Sequence, residues 1–297
     1  MNAPKPTSGE MKSARWPVPA PDTPGFGAAR LSGTLQNLGQ WGRVLLARPR
    51  MRVPPPSRGA IVTIVLTLVG VVALMFVLDI AASAWARGLP RWVTSTFEVI
   101  TDFGLSGWFL IPSGAIVLLL AAAMSPSLTR VTQGVLAALA VRFGFLFLAI
   151  GVPGLFVTIV KRLIGRARPY VDNPDDPFTY MPFAWRPEYA SMPSGHATTA
   201  AAAAIAIGAI WPKTRAVMWL YALIIMASRV IVLAHHPSDV LAGALVGATG
   251  AVLVRRWFCA RRLGFAVVEG RVAALPGPSL KRMTQAVRWA LASCGRS

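Results

Sequence analysis

The stretch MPSGHATTAAAAAIAIGAIW, residues 192–211, joins a polar start to an apolar helix. From Ala197 onward it holds no charged residue, which is typical of a segment that lies in a lipid bilayer. Before that point come Ser194, Gly195 and His196, one of only three histidines in the chain. The N–H groups at a helix start lack internal partners and attract anions. The stretch therefore indicates either an anion site at a helix end or an ordinary N-cap serine beside an interfacial histidine.

The composition of the whole chain favours a membrane protein. Hydrophobic residues make up 55% of its 297 residues, and the mean hydropathy is +0.56. That value is too apolar for an ordinary soluble domain. The net charge of +19 lies in clusters between apolar segments, so anionic lipid headgroups are the expected partner and no nucleic acid partner is expected.

Apolar stretches long enough to cross a membrane recur along the chain. A membrane-spanning helix needs about 20 mostly apolar residues. The predicted spans are residues 60–82, 107–124, 135–160, 196–212, 216–234 and 238–254. Small residues at 242–251, AGALVGATGA, would let helices pack closely. The sequence thus predicts an all-α, polytopic membrane protein with a six-helix domain over residues 59–255.

The remaining segments are predicted to lie outside the six spans. Residues 1–58 are basic and rich in Pro and Gly, which predicts a flexible tail. Residues 88–104 predict an amphipathic helix at the membrane surface. Residues 256–297 form a second basic tail, in which 281–292 could be an interfacial helix or a solvated segment. The sequence leaves the oligomeric state and the role of both tails open.

The distribution of Lys and Arg predicts the orientation, because cytoplasmic loops carry an excess of both. Twenty-one of the 30 Lys and Arg residues fall on one side, in the two tails and in the loops 125–134 and 213–215. Both termini are therefore expected in the cytoplasm. The loop 161–195 is expected on the outer side, yet it carries five basic residues, which indicates a local anionic ligand.

One basic cluster opens that outer loop. KRLIGRARP, residues 161–169, places Lys161 and Arg168 on either side of a glycine turn. The planar guanidinium of arginine matches phosphate oxygens, and lysine adds a point charge. Taken alone, the run is better explained as an anchor for the end of a membrane helix.

A second polar cluster joins the last two spans. Arg229 lies near the outer end of the fifth span, where a charge needs a partner or a water-filled cavity. His235 and His236 form the turn, and Asp239 falls in the first turn of the next helix. From there its carboxylate could reach back to His235 and leave the other ring nitrogen nucleophilic. The alternative for Asp239 alone is a capping interaction with the backbone.

Together the clusters place phosphate donors, two different imidazoles and a carboxylate at neighbouring helix ends. Phosphoryl transfer needs stabilisation of spread negative charge, a nucleophile and an acid for the leaving oxygen. The acidic run at 172–176 could hold a cation, but a solvated loop is the favoured interpretation. No metal site is predicted.

The motifs resemble those of the type 2 phosphatidic acid phosphatases, the membrane branch of the superfamily that includes vanadium haloperoxidases. The family's first motif is Lys, six residues and Arg-Pro, which corresponds to Lys161 through Pro169. Its second motif is Pro-Ser-Gly-His, residues 193–196. Its third is Ser-Arg, five residues, His, three residues and Asp, which corresponds to Ser228 through Asp239. All three occur in the family's order, within a resemblance over about residues 60–255.

The resemblance implies a role for each motif residue. It implies that His235 is the nucleophile that forms a phosphohistidine, that Asp239 orients it and that His196 protonates the leaving group. It implies no cofactor and no metal. The residues that would bind phosphate are Lys161, Arg168, Ser194, Gly195 and Arg229.

The resemblance also implies a class of substrate and a location. The expected enzyme hydrolyses a lipid phosphate or diphosphate at the outer, periplasmic face of a bacterial inner membrane. The substrates that fit are undecaprenyl diphosphate, phosphatidylglycerophosphate, phosphatidic acid and the phosphate of lipid A. A lipid phosphotransferase remains an alternative, as does a non-enzymatic lipid or anion transporter, although a transporter would place polar residues near the bilayer midplane.

Overall fold

A computed structural model describes residues 26–171, 176–279 and 281–285. In this part of the chain, nine α-helices precede one antiparallel β-hairpin. The helices are α1 (Phe26–Ala47), α2 (Arg58–Val77), α3 (Asp79–Arg87), α4 (Arg91–Asp102), α5 (Gly107–Ala123), α6 (Arg130–Ile164), α7 (Gly195–Ile210), α8 (Arg215–Ile231) and α9 (Pro237–Ala260). The hairpin strands are β1 (Phe265–Val268) and β2 (Arg271–Ala274).

Five apolar helical stretches of the described chain are long enough to cross a membrane. They are Arg58–Val77, Arg91–Ala123, Arg130–Ile164, Pro212–Ile231 and Pro237–Ala260. The predicted all-α, polytopic architecture is thus confirmed. The predicted span at 196–212 is the shorter helix α7, whose 16 residues extend about 24 Å against a hydrocarbon core of about 30 Å. The count of six spans therefore stays a prediction.

Helix α7 lies at the centre of the molecule, packed against α6, α8 and α9. Most residues of α7 are alanines, and most of these are buried whichever way they face, because neighbouring helices approach α7 from several sides. A Cβ atom at Gly243 or Gly247 of α9 would collide with the backbone carbonyls of Ser194 and Thr198. The small-residue run at 242–251 thus permits close helix contact, as predicted, and fixes α9 beside the start of α7.

Residues 26–47 form α1, whereas the sequence predicted a flexible tail over 1–58. The Asn37 side chain donates hydrogen bonds to the carbonyl oxygens of Ala121 (2.9 Å) and Met124 (3.2 Å) at the end of α5. Such contacts with a distant part of the chain do not show in local composition. Residues 1–25 lie outside the described part of the chain.

The core also continues past the predicted domain boundary at residue 255. Helix α9 runs to Ala260, and Phe265 of the hairpin is 3% exposed with its ring centroid 4.7 Å from that of Phe145. The predicted surface helix at 88–104 corresponds to α4, which packs against α8. Of the predicted helix at 281–292, residues 281–285 are helical and the rest lie outside the described residues.

Candidate active site

The polar residues of the three motifs meet at the ends of α6, α7 and α8 and at the start of α9. Helix α6 ends because Gly165 adopts a left-handed conformation, with φ of 66°. A side chain at this position would collide with the carbonyl group of Met181, so the turn requires glycine. The chain then continues in an extended segment, in which the Arg168 N–H donates to Glu188 O at 2.9 Å. This segment holds the arginines of the first motif next to the start of α7.

Three of the predicted phosphate ligands have buried polar atoms without a hydrogen-bond partner among the described residues. They are Arg168 Nε, Ser194 Oγ and Arg229 Nε. A buried polar group without a partner costs about 1–3 kcal/mol, so such groups are uncommon in structural positions. Three of them around one site fit an anion that accepts hydrogen bonds from all three.

Ser194 shows why the capping interpretation of the second motif is insufficient. It is the N-cap residue of α7, yet its side chain makes no capping hydrogen bond. Its backbone N–H donates to Asp239 O at 3.0 Å, which joins α7 to α9. A Cβ atom at Gly195 would meet nothing within 4 Å, so the backbone there is open to a ligand. The hydroxyl group and the helix N-terminus are therefore both available to an oxyanion.

Arg229 lies in the last turn of α8 and is 7% exposed. Its Nη1 donates to Thr101 Oγ1 on α4 at 2.6 Å, so α4 fixes one side of the guanidinium group. Its carbonyl oxygen accepts from the N–H groups of Ala234 and His235, each at 3.1 Å. This tight turn brings His235 back over the arginine.

His235 is 4% exposed, in the turn between α8 and α9. Burial holds the pKa of its imidazole well below the usual value, and the positive charges of Arg229 and Arg168 lower that pKa further. Both effects disfavour the protonated ring. His235 is therefore neutral near pH 7, as a nucleophilic imidazole must be.

Asp239 contacts His235 less directly than the sequence predicted. The His235 Nδ1 and Asp239 Oδ2 atoms are 4.0 Å apart, which is too far for a hydrogen bond. The hydroxyl of Ser191 contacts both groups, 2.5 Å from Asp239 Oδ2 and 3.4 Å from His235 Nδ1. Asp239 Oδ2 also accepts from the His236 N–H at 2.9 Å. The capping alternative for Asp239 is thus present, together with its place beside the histidine.

His236, the second histidine of the turn, is also buried. It is 4% exposed and forms the N-cap of α9, in a reciprocal capping box with Asp239. Its Nδ1 lies 3.3 Å from Ser83 Oγ on α3. This contact directs the ring towards α3.

Sequence reasoning missed a buried ionic network that supports Asp239. Arg166 donates from Nη1 to Asp239 Oδ1 at 2.6 Å and from Nη2 to Asp79 Oδ2 at 2.8 Å. All three side chains are fully buried. Ser238 completes the network, with its hydroxyl 2.7 Å from Arg166 Nη1 and its N–H 3.0 Å from Asp79 Oδ1. Asp79 is an acidic residue inside a predicted span, which by itself marks a candidate functional position.

A cavity of about 390 Å³ connects the first two motifs between α5, α6 and α7. Lys161 and His196 line it from the polar end, next to Gly195. Leu105 and Leu155, which are 48% and 64% exposed, line it towards the outside of the helix bundle. The cavity thus combines a basic end with an apolar opening, as a phosphorylated lipid requires.

The described residues include no group of three or more His, Cys, Asp or Glu side chains that could hold a metal ion. Residues 172–175 of the acidic run lie outside the described ranges. Asp176 accepts from the Phe178 N–H (2.8 Å) and the Thr179 hydroxyl (3.1 Å), so it stabilises a turn. The groups that converge at the site are basic donors, imidazoles and one buried carboxylate. That set suits transfer of a phosphoryl group to a histidine.

Comparisons with known proteins agree with this chemistry. A family model described as the PAP2 superfamily matches residues 142–263. Lipid A 1-phosphatase of Rhizobium johnstonii is 32% identical over 208 residues, which cover 69% of this chain and 83% of that protein. Lipid A 1-phosphatase of Rhizobium etli is 32% identical over 197 residues, or 66% of this chain and 82% of that protein.

Among solved structures, a transmembrane PAP2-type phosphatidylglycerolphosphate phosphatase from Bacillus subtilis aligns with 65% of this chain and 94% of its own, at 22% identity and a TM-score of 0.43. The matched region 142–263 contains all three motifs, and the match to the rhizobial phosphatases extends well beyond it. This multi-pass membrane protein therefore belongs to the PAP2 superfamily, the type 2 phosphatidic acid phosphatases, and is a phosphatase.

Proposed function

We propose that the protein hydrolyses the 1-phosphate of lipid A at the outer face of the inner membrane, through a phosphohistidine on His235. The observation that carries the proposal is the set of unpaired donors on Arg168, Ser194 and Arg229 around a buried, neutral His235. The choice of lipid A rests on the two rhizobial relatives, which are named for that activity.

In the first half-reaction, the phosphate is held by Lys161, Arg168, Arg229 and the start of α7. An unprotonated ring nitrogen of His235 attacks phosphorus and forms the N–P bond. The P–O bond to the lipid breaks on the opposite side, and His196 gives its proton to the leaving oxygen. In-line displacement needs a nucleophile and an acid on opposite sides of the phosphorus.

In the second half-reaction, water attacks the phosphohistidine and passes a proton to His196. The N–P bond breaks, inorganic phosphate leaves, and His196 is again protonated for the next cycle. The lipid portion of the substrate occupies the cavity between α5, α6 and α7, whose opening at Leu105 and Leu155 is apolar. No step in this scheme needs a cofactor or a metal ion.

A panel of lipid phosphates in detergent tests the proposal. Purified protein is given lipid A, phosphatidylglycerophosphate, phosphatidic acid and undecaprenyl diphosphate, with and without a chelator. Release of inorganic phosphate is measured, and mass spectrometry identifies the lipid product. We expect release from the 1-position of lipid A to be fastest, to survive the chelator and to be inhibited by vanadate, which mimics the five-coordinate transition state.

The panel also separates the alternatives. His235→Asn is the control for contaminating phosphatases and should release no phosphate. Faster turnover of another lipid would contradict the assignment of lipid A as the substrate. Phosphate that moves to a second lipid without release of inorganic phosphate would instead identify a phosphotransferase. Activity that disappears in chelator and returns with magnesium would contradict the metal-free scheme.

A further inference from the structure

Ser191 lies at the centre of the hydrogen bonds that surround the proposed nucleophile. Its side chain is fully buried. Its hydroxyl oxygen is 2.5 Å from Asp239 Oδ2 and 3.4 Å from His235 Nδ1, whereas those two groups are 4.0 Å from each other. The carboxylate and the imidazole are too far apart for a direct hydrogen bond, so the serine hydroxyl is the group that hydrogen-bonds to both.

The direction of these hydrogen bonds follows from their chemistry. Asp239 accepts hydrogen bonds from Arg166 Nη1 at 2.6 Å and from the His236 N–H at 2.9 Å, so its carboxylate acts as an acceptor. The Ser191 hydroxyl must then donate its one proton to Asp239, which leaves only lone pairs facing His235. A ring nitrogen next to those lone pairs makes a hydrogen bond only if it carries a proton. His235 Nδ1 is therefore protonated, and Nε2 keeps its lone pair.

The position of the serine hydroxyl is itself tied to the buried ionic network. The Ser191 N–H donates to the carbonyl oxygen of Arg166 at 3.1 Å. The Arg166 side chain in turn binds Asp239. Backbone and side chain of one arginine thus hold both the serine and the carboxylate, which keeps the hydroxyl within hydrogen-bond distance of Asp239 and His235.

We propose that Ser191 is a positioning residue that connects Asp239 to His235 and selects the ring tautomer whose free Nε2 attacks phosphorus. The inference rests on the proposed function, because it assumes that His235 is the nucleophile. It differs from the arrangement in which the carboxylate orients the histidine by direct contact. The hydroxyl does not touch the substrate in this scheme, and it acts only through the imidazole.

Two measurements on the full-length protein in detergent test this role. Rapid-quench labelling with radioactive lipid phosphate gives the rate of phosphoenzyme formation. Nitrogen NMR of protein labelled only in histidine gives the tautomer, since the chain has just three histidines. We expect Ser191→Ala to slow phosphoenzyme formation about tenfold to a hundredfold, as loss of an outer hydrogen-bond partner commonly does. The His235 signals should change from one tautomer to a mixture.

Conservative and matched variants complete the test. Ser191→Thr keeps a hydroxyl and should restore most of the rate and the single tautomer. Ser83→Ala removes another buried serine that lies 3.3 Å from a histidine ring, that of His236. It should leave both the phosphoenzyme rate and the His235 tautomer as in the natural protein.

The outcomes separate this inference from the proposed function. A phosphoenzyme that still forms in His235→Asn would overturn the proposed function and the serine's role with it. Loss of phosphoenzyme in His235→Asn, with an unchanged tautomer and rate in Ser191→Ala, would overturn only the role of Ser191. A slow Ser191→Ala variant that keeps the natural tautomer, or an equal loss of rate in Ser83→Ala, would make the serine a packing residue and also contradict the inference.

Discussion

At the scale of single residues, two adjacent histidines occupy different environments. His235 is surrounded by the cations of the proposed phosphate site, whereas His236 caps α9 and contacts Ser83. We expect His235→Asn to abolish turnover and the acid-labile phosphoenzyme. His236→Asn should keep a substantial fraction of both, because asparagine is also a good N-cap residue. Radiolabelled phosphoenzyme in the two variants, with circular dichroism as a check on folding, decides the assignment. A phosphoenzyme lost only in His236→Asn would refute it.

The leaving-group side of the reaction gives a second test. His196→Asn should lower kcat by about 10²–10⁴, the usual contribution of a positioned proton donor. The loss should be much smaller for a phosphate ester with an acidic leaving group, which needs no proton. Parallel assays with lipid A and with an aryl phosphate measure the difference. Equal losses on both substrates would assign His196 to phosphate binding instead.

The pKa of His235 sets a pH dependence with a defined sign. Burial and the neighbouring arginines lower this pKa well below its usual value, which is about 6.5. The reactive neutral imidazole therefore persists into acidic solution, and activity falls only when the pH drops through the lowered pKa. The acidic limb of kcat/KM should lie well below pH 6.5, after correction for ionisation of the substrate phosphate. A loss of kcat/KM at or above pH 6.5 would contradict the buried, neutral histidine, provided that the rate of phosphoenzyme breakdown shows no such loss.

At the scale of elements, the contact between α7 and α9 controls the geometry of the phosphate site. Gly243 faces the carbonyl of Ser194, and Gly247 faces that of Thr198 one turn further in. Overpacking of this kind costs about 1–3 kcal/mol, so both Gly243→Ala and Gly247→Ala should lower the thermal stability in detergent. Gly243→Ala should lose more activity, because it displaces Ser194.

Gly144 provides the matched control for these glycines. It lies inside α6, and a Cβ atom there would meet nothing within 4 Å. Gly144→Ala should therefore leave activity unchanged and stabilise the helix by up to about 1 kcal/mol. Fluorescence-detected melting and phosphate release, measured on all three variants, test the comparison. Equal behaviour of Gly144→Ala and Gly243→Ala would show that close α7–α9 contact does not govern the site.

The buried ions join three elements that are distant in sequence. Asp79 at the start of α3, Arg166 after α6 and Asp239 in α9 form one network. Asp79→Ala removes one partner of a buried pair and should destabilise the protein by about 3–5 kcal/mol. Adding Arg166→Met should recover part of that stability but none of the activity, since Asp239 then loses its support. A double variant with restored activity would contradict a positioning role for the network.

At the scale of the whole molecule, the distribution of charge predicts the orientation in the membrane. Trp185, in the loop that is predicted to lie on the outer side, is 82% exposed, and Lys213 between α7 and α8 is exposed as well. Trp185→Cys and Lys213→Cys, each in a background without Cys259 and Cys294, can be labelled with an impermeant reagent in spheroplasts. We expect Trp185→Cys to react in intact spheroplasts and Lys213→Cys to react only after lysis. The reverse pattern would place the site in the cytoplasm.

The sequence alone determined what depends on residue type and spacing. Apolar length predicts membrane helices because backbone groups in lipid must be paired within the helix. The residue types and spacings inside the three motifs, which contain Lys161, Ser194 and His235, identified the family. Tertiary structure alone decided which charges meet. Asp79 and Arg166 pair across 87 residues, and the Ser191 hydroxyl contacts both Asp239 and His235. Local sequence carries no signal for such contacts, because each hydrogen bond forms only after helices far apart in the chain have packed.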